Sequence, residues 1–335
     1  MMMLRRKCII SFIICWWINF AWGVPGKCDL KNVAASYNLK LTSWWNKVQL
    51  NNKKHSISFT VGSKEAVIDG TKVYLTYPLE SKVVGSHGLR LIYKKPLSLK
   101  KCYYISHVDV TKIIKPLLSP INIAKKTPKI IVIDAGHGGK AEGAINKALK
   151  LKEKDLTLKT AKKLATKFRL AGYTVYLTRE NDVDLSLEDR GTFANSKKAD
   201  IFISIHYNSV DPNNVNVKNI GGIEIFAYTF HMHPSTERNT LNDSDRVYAQ
   251  VNKYDDVSTY LAWNIQTKLW KILKLKDRGI KRGRMRVLKD LKCPGVLVEC
   301  GFLSNPNEAA LLNSESYQNK LVQAIFNGVK AYSKN

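Results

Sequence analysis

IVIDAGHGGK, residues Ile131 to Lys140, decides the fold. An apolar, β-branched strand stops at a glycine-rich turn that presents His137, and in open α/β sheets ligands gather at the carboxyl ends of strands. Glu153 follows sixteen positions later in LKLKEKD, and His206 ends a second apolar strand, IFISIHYN. Two imidazoles and one carboxylate form the ligand set of a catalytic zinc, with the fourth position left to water. Glu299 ends a third such strand, VLVE, and is expected to face the same edge. Each residue also has a plain structural explanation. His137 can cap a turn, His206 can be a core imidazole, and Glu153 at a helix start gains roughly 0.3–1 kcal/mol from the helix dipole. Glu299 is harder to dismiss, because a buried carboxylate without a partner is costly. Together the four point to metal-dependent hydrolysis.

Around these residues strands and helices alternate. Strands are expected at 130–133, 174–178, 201–206, 222–227, 285–288 and 296–299, and helices near 154–170, 186–196, 257–274 and 316–332. Leu156, Ala161, Leu164, Ala165 and Phe168 keep the spacing of a helix packed on a sheet. The pattern predicts an α/β fold with a mixed, mostly parallel sheet flanked by helices, spanning 129–335.

The first third of the chain reads differently. HSISFTVGS, EAVIDGTKVYLTYPLE and LRLIYKK alternate apolar and polar residues between turn formers, predicting a small, mostly-β domain over 24–118. DVTKIIKPLL reads as a short helix ended by proline, and 119–128 as a linker. Residues 1–23 carry Arg5, Arg6 and Lys7, an apolar run and the small-x-small triplet Ala21-Trp22-Gly23, the pattern of a cleaved secretory signal. An exported protein, periplasmic or associated with the cell wall, is expected. Cys28 and Cys102 lie near the ends of the first domain, where a disulfide would stabilise it by about 4 kcal/mol. Cys293 and Cys300, separated by an extended strand of roughly 23 Å, are expected as buried thiols.

The chain carries 54 Lys and Arg against 27 Asp and Glu, a net charge of +27. Between Val24 and Lys126 there are 18 basic and 5 acidic residues. Such a field favours anionic partners, here an anionic wall polymer or a membrane surface. No finger spacing or aromatic RNP run accompanies it, so nucleic acid is not expected.

The second domain resembles the zinc-dependent N-acetylmuramoyl-L-alanine amidases of the amidase_3 family. The resemblance rests on DAGHGG (134–139), EKD (153–155), TRENDVDLSLEDRGTFAN (178–195), ADIFISIHYNS (199–209), GGIEIF (221–226) and PGVLVECGFLSNPNEAALL (294–312), in the family's order. It implies that His137, Glu153 and His206 bind one Zn²⁺ and that Glu299 is the catalytic carboxylate. The implied substrate is peptidoglycan, cut at the amide between N-acetylmuramic acid and L-alanine of the stem peptide. Around AVIDGTKVYL the first domain resembles the N-terminal domain of copper amine oxidase type that precedes some wall hydrolases. A stem-peptide metallopeptidase and an inactive wall-binding protein remain as alternatives.

Among neighbouring residues, Asp134 is expected to orient His137, and Asn208 to support His206 from the same strand face. Arg179 and Arg190 are expected in structural ion pairs, and Asn305 in fixing a turn. His231 and His233 sit in a loop context that does not favour a metal. Some relatives carry an inserted helix that plugs the zinc site. HPSTERNTLNDSDRVYAQVNKYDDVST, rich in turn formers, predicts its absence and activity without an activator. A monomer is expected.

Overall fold

Alternation of apolar and polar residues decides which faces of the first strands are buried. The computed structural model describes residues 26–84, 100–120, 128–211 and 214–333. The leader, the LRLIYKK strand and most of the linker lie outside them. The chain falls into two compact units, with boundaries after Gly70, Tyr74 and Leu118.

In the first unit, β1 (Lys27–Asp29) leads into α1 (Leu30–Ser36), capped by the Asp29 side chain. Strands β2 (Lys40–Trp44), β3 (Lys47–Asn51), β4 (Ser56–Thr60) and β5 (Glu65–Ile68) form an antiparallel meander. Val48, Leu50, Ile57 and Phe59 alternate inward and are buried, as a half-buried strand requires. A strand of the second unit, β6 (Thr71–Tyr74), separates this run from β7 (Glu80–Val84) and β8 (Lys100–Ser106), and β8 pairs antiparallel with both β7 and β1. A helical stretch, His107 to Leu118, closes the unit, with Pro116 inside its last turn and not beyond its end.

The sequence leaves open whether Cys28 and Cys102 pair, and in the structure they do not. Cys28 stands opposite Ile105 in the β1–β8 ladder, three positions along the strand from Cys102, and no disulfide joins the two. Three positions of strand span about 10 Å, beyond the reach of a disulfide. Cys293 and Cys300 are free thiols, and both are buried.

The second unit carries a seven-stranded sheet. Its strands are β6, β9 (Ile130–Ala135), β12 (Thr174–Leu177), β13 (Ile201–Asn208), β14 (Ile223–Tyr228), β15 (Asp277–Gly283) and β16 (Gly295–Phe302), in spatial order β12-β9-β13-β16-β14-β15-β6. The short strands β10 (Ile145–Asn146) and β11 (Leu151–Lys152) pair with each other. All neighbouring pairs in the seven-stranded sheet run parallel except β14 with β16. The mixed, mostly parallel sheet thus contains a single reversal, beside the strand that carries Glu299. Helices α2 (Glu153–Leu170), α3 (Leu187–Ser196), α4 (Asp255–Leu273), α5 (Pro306–Asn313) and α6 (Glu315–Tyr332) flank it. Their apolar stripes are deeply buried, including Leu164, Phe168, Leu261, Ile265 and Leu321.

Two expectations from sequence are corrected here. The expected strand at 285–288 is instead a 3-10 turn, Arg286–Leu288. The true strand, β15, reads DRGIKRG and holds only one aliphatic residue. Its polar groups are satisfied inside: Asp277 accepts from Gln266, and Lys281 pairs with Glu224. Strand β6 adds to the edge of β15, although the stretch containing it reads as part of the first domain. Thr71 Oγ1 lies 2.6 Å from Thr267 Oγ1, which ties β6 to α4.

Candidate metal centre

The glycine turn after β9 forms because three of its residues take backbone angles that side chains rarely permit. His137 itself sits at φ 60°, followed by Gly138 and Gly139, also with positive φ. A histidine in this region is strained and persists only where its surroundings fix it. Two guanidinium groups do much of that work. Arg190, on α3, donates to Asp134 Oδ1 (2.8 Å) and to the carbonyls of Ala135 (2.8 Å) and His137 (2.9 Å). Arg179 donates to the carbonyls of Ala135, Gly136, Asn181 and Lys154 and to Thr157 Oγ1. The expected ion pair therefore exists for Arg190, whereas Arg179 saturates backbone carbonyls.

Glu153 opens α2 beside that turn and is buried. Its Oε1 lies 3.1 Å from His137 Nε2 and 3.0 Å from His206 Nδ1, and it accepts from the Tyr207 amide. Oε2 accepts from the Ala144 amide at 2.8 Å. Burial works against ionisation, but hydrogen bonds and charge from the two imidazoles outweigh it and hold the Glu153 carboxyl well below the usual range. The His137 and His206 rings meet edge to face, 5.0 Å apart. Glycine is required against both His206 and Glu153. A Cβ on Gly136 would stand 2.4 Å from His206 Nε2, and one on Gly143 would stand 2.5 Å from Glu153 Oε2.

Glu299 lies one strand away. In register it stands between His206 on β13 and Glu224 on β14. Its Oε2 is shut off from solvent without a hydrogen-bond partner among the described residues. Burial, then the nearby Glu153 and Glu224 carboxylates, push its pKa well above the ordinary carboxylate value, against the opposing pull of Lys281.

The supporting residues differ from expectation. Asp134 does not orient His137. It is fully buried and bonds Ser204, Thr178 and Arg190, because its side chain enters the sheet interior before the turn begins. Burial opposes its ionisation, yet Arg190 and the two hydroxyls hold its pKa down. Asn208 donates to Glu224 Oε1 at 2.7 Å and so supports the Glu299 side of the site rather than His206. Glu224 itself was not anticipated from sequence. A lone charge in the apolar strand IEIF was the available signal, the same one that exposed Glu299. Its Oε2 takes Arg278 and Lys281, both at 2.8 Å. Asn305 caps α5 through the amides of Asn307 and Glu308. His231 and His233 bond the carbonyls of Arg246 and His231 and do not converge.

Among the described residues, one group of His, Cys, Asp or Glu side chains could hold a metal ion: His137, Glu153 and His206, with donor atoms all within 4.8 Å of one another. Residues 131–331 match the family described as Amidase_3, N-acetylmuramoyl-L-alanine amidase. The chain belongs to the amidase_3 family. This amidase_3 chain is 33% identical over 204 residues to the uncharacterized protein YqiI of Bacillus subtilis, covering 61% of this chain and 84% of that one. It is 33% identical over 222 residues to the N-acetylmuramoyl-L-alanine amidase LytC of the same organism, spanning 66% of this chain but only 38% of LytC. The crystal structure of an N-acetylmuramoyl-L-alanine amidase from Clostridium difficile 630 superposes with a TM-score of 0.50 at 34% identity, over 62% of this chain and 97% of that one.

Proposed function

We propose that this amidase_3 chain is an exported zinc enzyme that hydrolyses the amide between the lactyl group of N-acetylmuramic acid and L-alanine in peptidoglycan. The observation that carries the reading is one carboxylate oxygen shared by two imidazoles, with the bare oxygen of Glu299 on the next strand. Ligand atoms of a tetrahedral zinc at ordinary bond lengths lie roughly 3.3–3.5 Å apart. The separations of 3.0 and 3.1 Å around Glu153 Oε1 come close to that spacing, and nitrogen with carboxylate oxygen is a donor set zinc accepts. His137, Glu153 and His206 would hold the ion. Zinc bound there would supply Lewis acidity toward the amide carbonyl and an attacking water.

The chain's own groups supply the proton traffic. Glu299, with its raised proton affinity and an oxygen free of other partners, takes a proton from water as the carbon–oxygen bond forms. It returns that proton to the departing alanine nitrogen as the carbon–nitrogen bond breaks. Such acid–base work contributes about 10²–10⁴-fold. Glu224, fixed by Arg278, Lys281 and Asn208, keeps a second negative charge beside Glu299 and so raises its affinity for the proton it takes up.

Between Thr229 and Tyr254 the chain runs as loop with two 3-10 turns, Asp243–Arg246 and Gln250–Tyr254. This supports action without an activator. No helix among the described residues is long and apolar enough to cross a membrane. Digestion of isolated sacculi by the purified, zinc-loaded chain is expected to free stem peptides with an N-terminal L-alanine and leave intact glycan strands. Mass spectra showing cuts within the stem peptide would replace this reading with a metallopeptidase.

A further inference from the structure

The turn between β2 and β3 is a two-residue hairpin loop. Trp44 pairs with Lys47, leaving Trp45 and Asn46 to make the turn. Trp45 takes φ 53° at the first loop position, where a two-residue hairpin favours glycine. A bulky residue there is a true backbone outlier. Packing does not offset that cost: Trp45 is 92% exposed and Trp44 is 47% exposed. A costly residue left in solvent by its own unit points to contact with something outside it.

The surroundings of the tip indicate what that is. Lys101 Nζ bonds the Trp45 carbonyl at 3.3 Å, and Lys47, next in the hairpin, bonds Thr60 Oγ1 through its Nζ at 2.7 Å, so two ammonium groups belong to this end of the unit. The Asn46 carbonyl accepts from the Val61 amide, which brings the next turn, with Lys64 and the acid Glu65, to the same end. Three lysines against one glutamate leave that end basic, within a stretch that is itself strongly basic. Tryptophan settles at the boundary between water and hydrocarbon, with its ring in the apolar layer and its N–H at the headgroups. Lysines beside it are drawn to anionic lipid. A sugar ring, by contrast, is held on a flat aromatic face rimmed by polar side chains, whereas Trp45 projects from a narrow turn into solvent.

We propose that the Trp44–Trp45 hairpin is a membrane-contact tip that inserts its indoles into the interface of an anionic phospholipid bilayer, with Lys47 and Lys101 against the headgroups. The contact lies in the first unit and does not depend on the amidase reading. The full chain is mixed with vesicles of phosphatidylglycerol or of phosphatidylcholine and compared with the Trp44→Ser/Trp45→Ser variant. The wild type is expected to sediment with the anionic vesicles in a salt-sensitive way. Brominated anionic lipid is expected to quench a share of its tryptophan fluorescence that the variant lacks. Loss of the two indoles is expected to weaken sedimentation by roughly tenfold, and Lys47→Glu/Lys101→Glu to weaken it without removing either tryptophan. Unchanged hydrolysis of soluble muropeptides and an unchanged melting curve would show the variant folded. Equal sedimentation and quenching of wild type and variant overturn the proposal. So does Trp-dependent binding to purified glycan strands without binding to vesicles, which would assign the tip to the wall.

Discussion

Glu153, at the start of α2, and Glu299, on β16, are treated in opposite ways. Glu153 receives two imidazoles and two backbone amides, and its proton affinity falls. Glu299 keeps one oxygen with no partner, between two other carboxylates, and its proton affinity rises. A carboxylate bonded on both oxygens is fixed in place and has little tendency to take up a proton. A bare one can exchange a proton, at a cost to the folded state. On the proposed reading, the contrast separates a holding acid from a reacting acid.

Replacing each acid should produce different losses. Glu153→Ala is expected to take zinc content and turnover to background together, measured by metal analysis and sacculus digestion. Glu299→Gln is expected to keep its zinc and lose about 10²–10⁴-fold in turnover. Its stability should change in the opposite direction. A carboxyl with a raised folded pKa favours the fold only while protonated, so its cost appears as pH rises above the unfolded value of 4.5. Metal-free Glu299→Gln should therefore melt higher than wild type at pH 7 and equally at about pH 4. A Glu299→Gln variant that loses its zinc, or melts lower at pH 7, would erase the distinction between the two acids.

Arg190 tests how the holding side is built. Arg190→Ala leaves Asp134 buried with its charge uncompensated and frees the His137 carbonyl. Breaking a buried pair in this way costs about 3–5 kcal/mol. Denaturant melts should show that loss, and zinc should dissociate more readily. Arg190→Lys should restore only part of it, since an ammonium cannot reproduce the fork that spans Asp134 and two carbonyls. Full rescue by lysine would mean that charge alone positions His137.

The candidate site was legible in sequence because His137 follows one apolar run and His206 and Glu299 interrupt two others. His206 and Glu299 are polar residues at the ends of IFISIH and VLVE, and strand register brings them side by side. Asp134 misled because its bonds are made across the sheet, to Ser204 seventy positions away, which local spacing does not encode. Strand β15 was hidden for a related reason. Arg278, Lys281 and Arg282 break the apolar pattern by which a buried strand is found, yet Lys281 and Arg282 are buried, with Lys281 paired to Glu224 and Arg282 stacked on Phe230. The alternation of β4 and β5 was plain, while the joining of β6 to β15 depends on an open sheet edge that sequence does not announce.

The smallest effect concerns another acid of the holding kind, outside the site. Asp245 is fully buried and accepts from both arms of Arg238, from Arg284 Nε at 2.7 Å and from the Asn242 amide. Burial opposes its ionisation, but these bonds prevail and lower its pKa from 3.8 to about 2. A carboxyl with a depressed folded pKa contributes stability that is fully present above the unfolded value. That stability is lost as pH falls from about 4 through 2. The shift corresponds to a contribution on the order of 2 kcal/mol at neutral pH. Asp245→Asn should thus lower the melting temperature at pH 7 and flatten the acid limb of the stability curve between about pH 4 and 2. Glu299→Gln should leave that limb unchanged and alter stability only above pH 4.5. If both substitutions moved the same limb, bonding would not be what divides the two kinds of acid, and the proton affinity of Glu299 would need another cause.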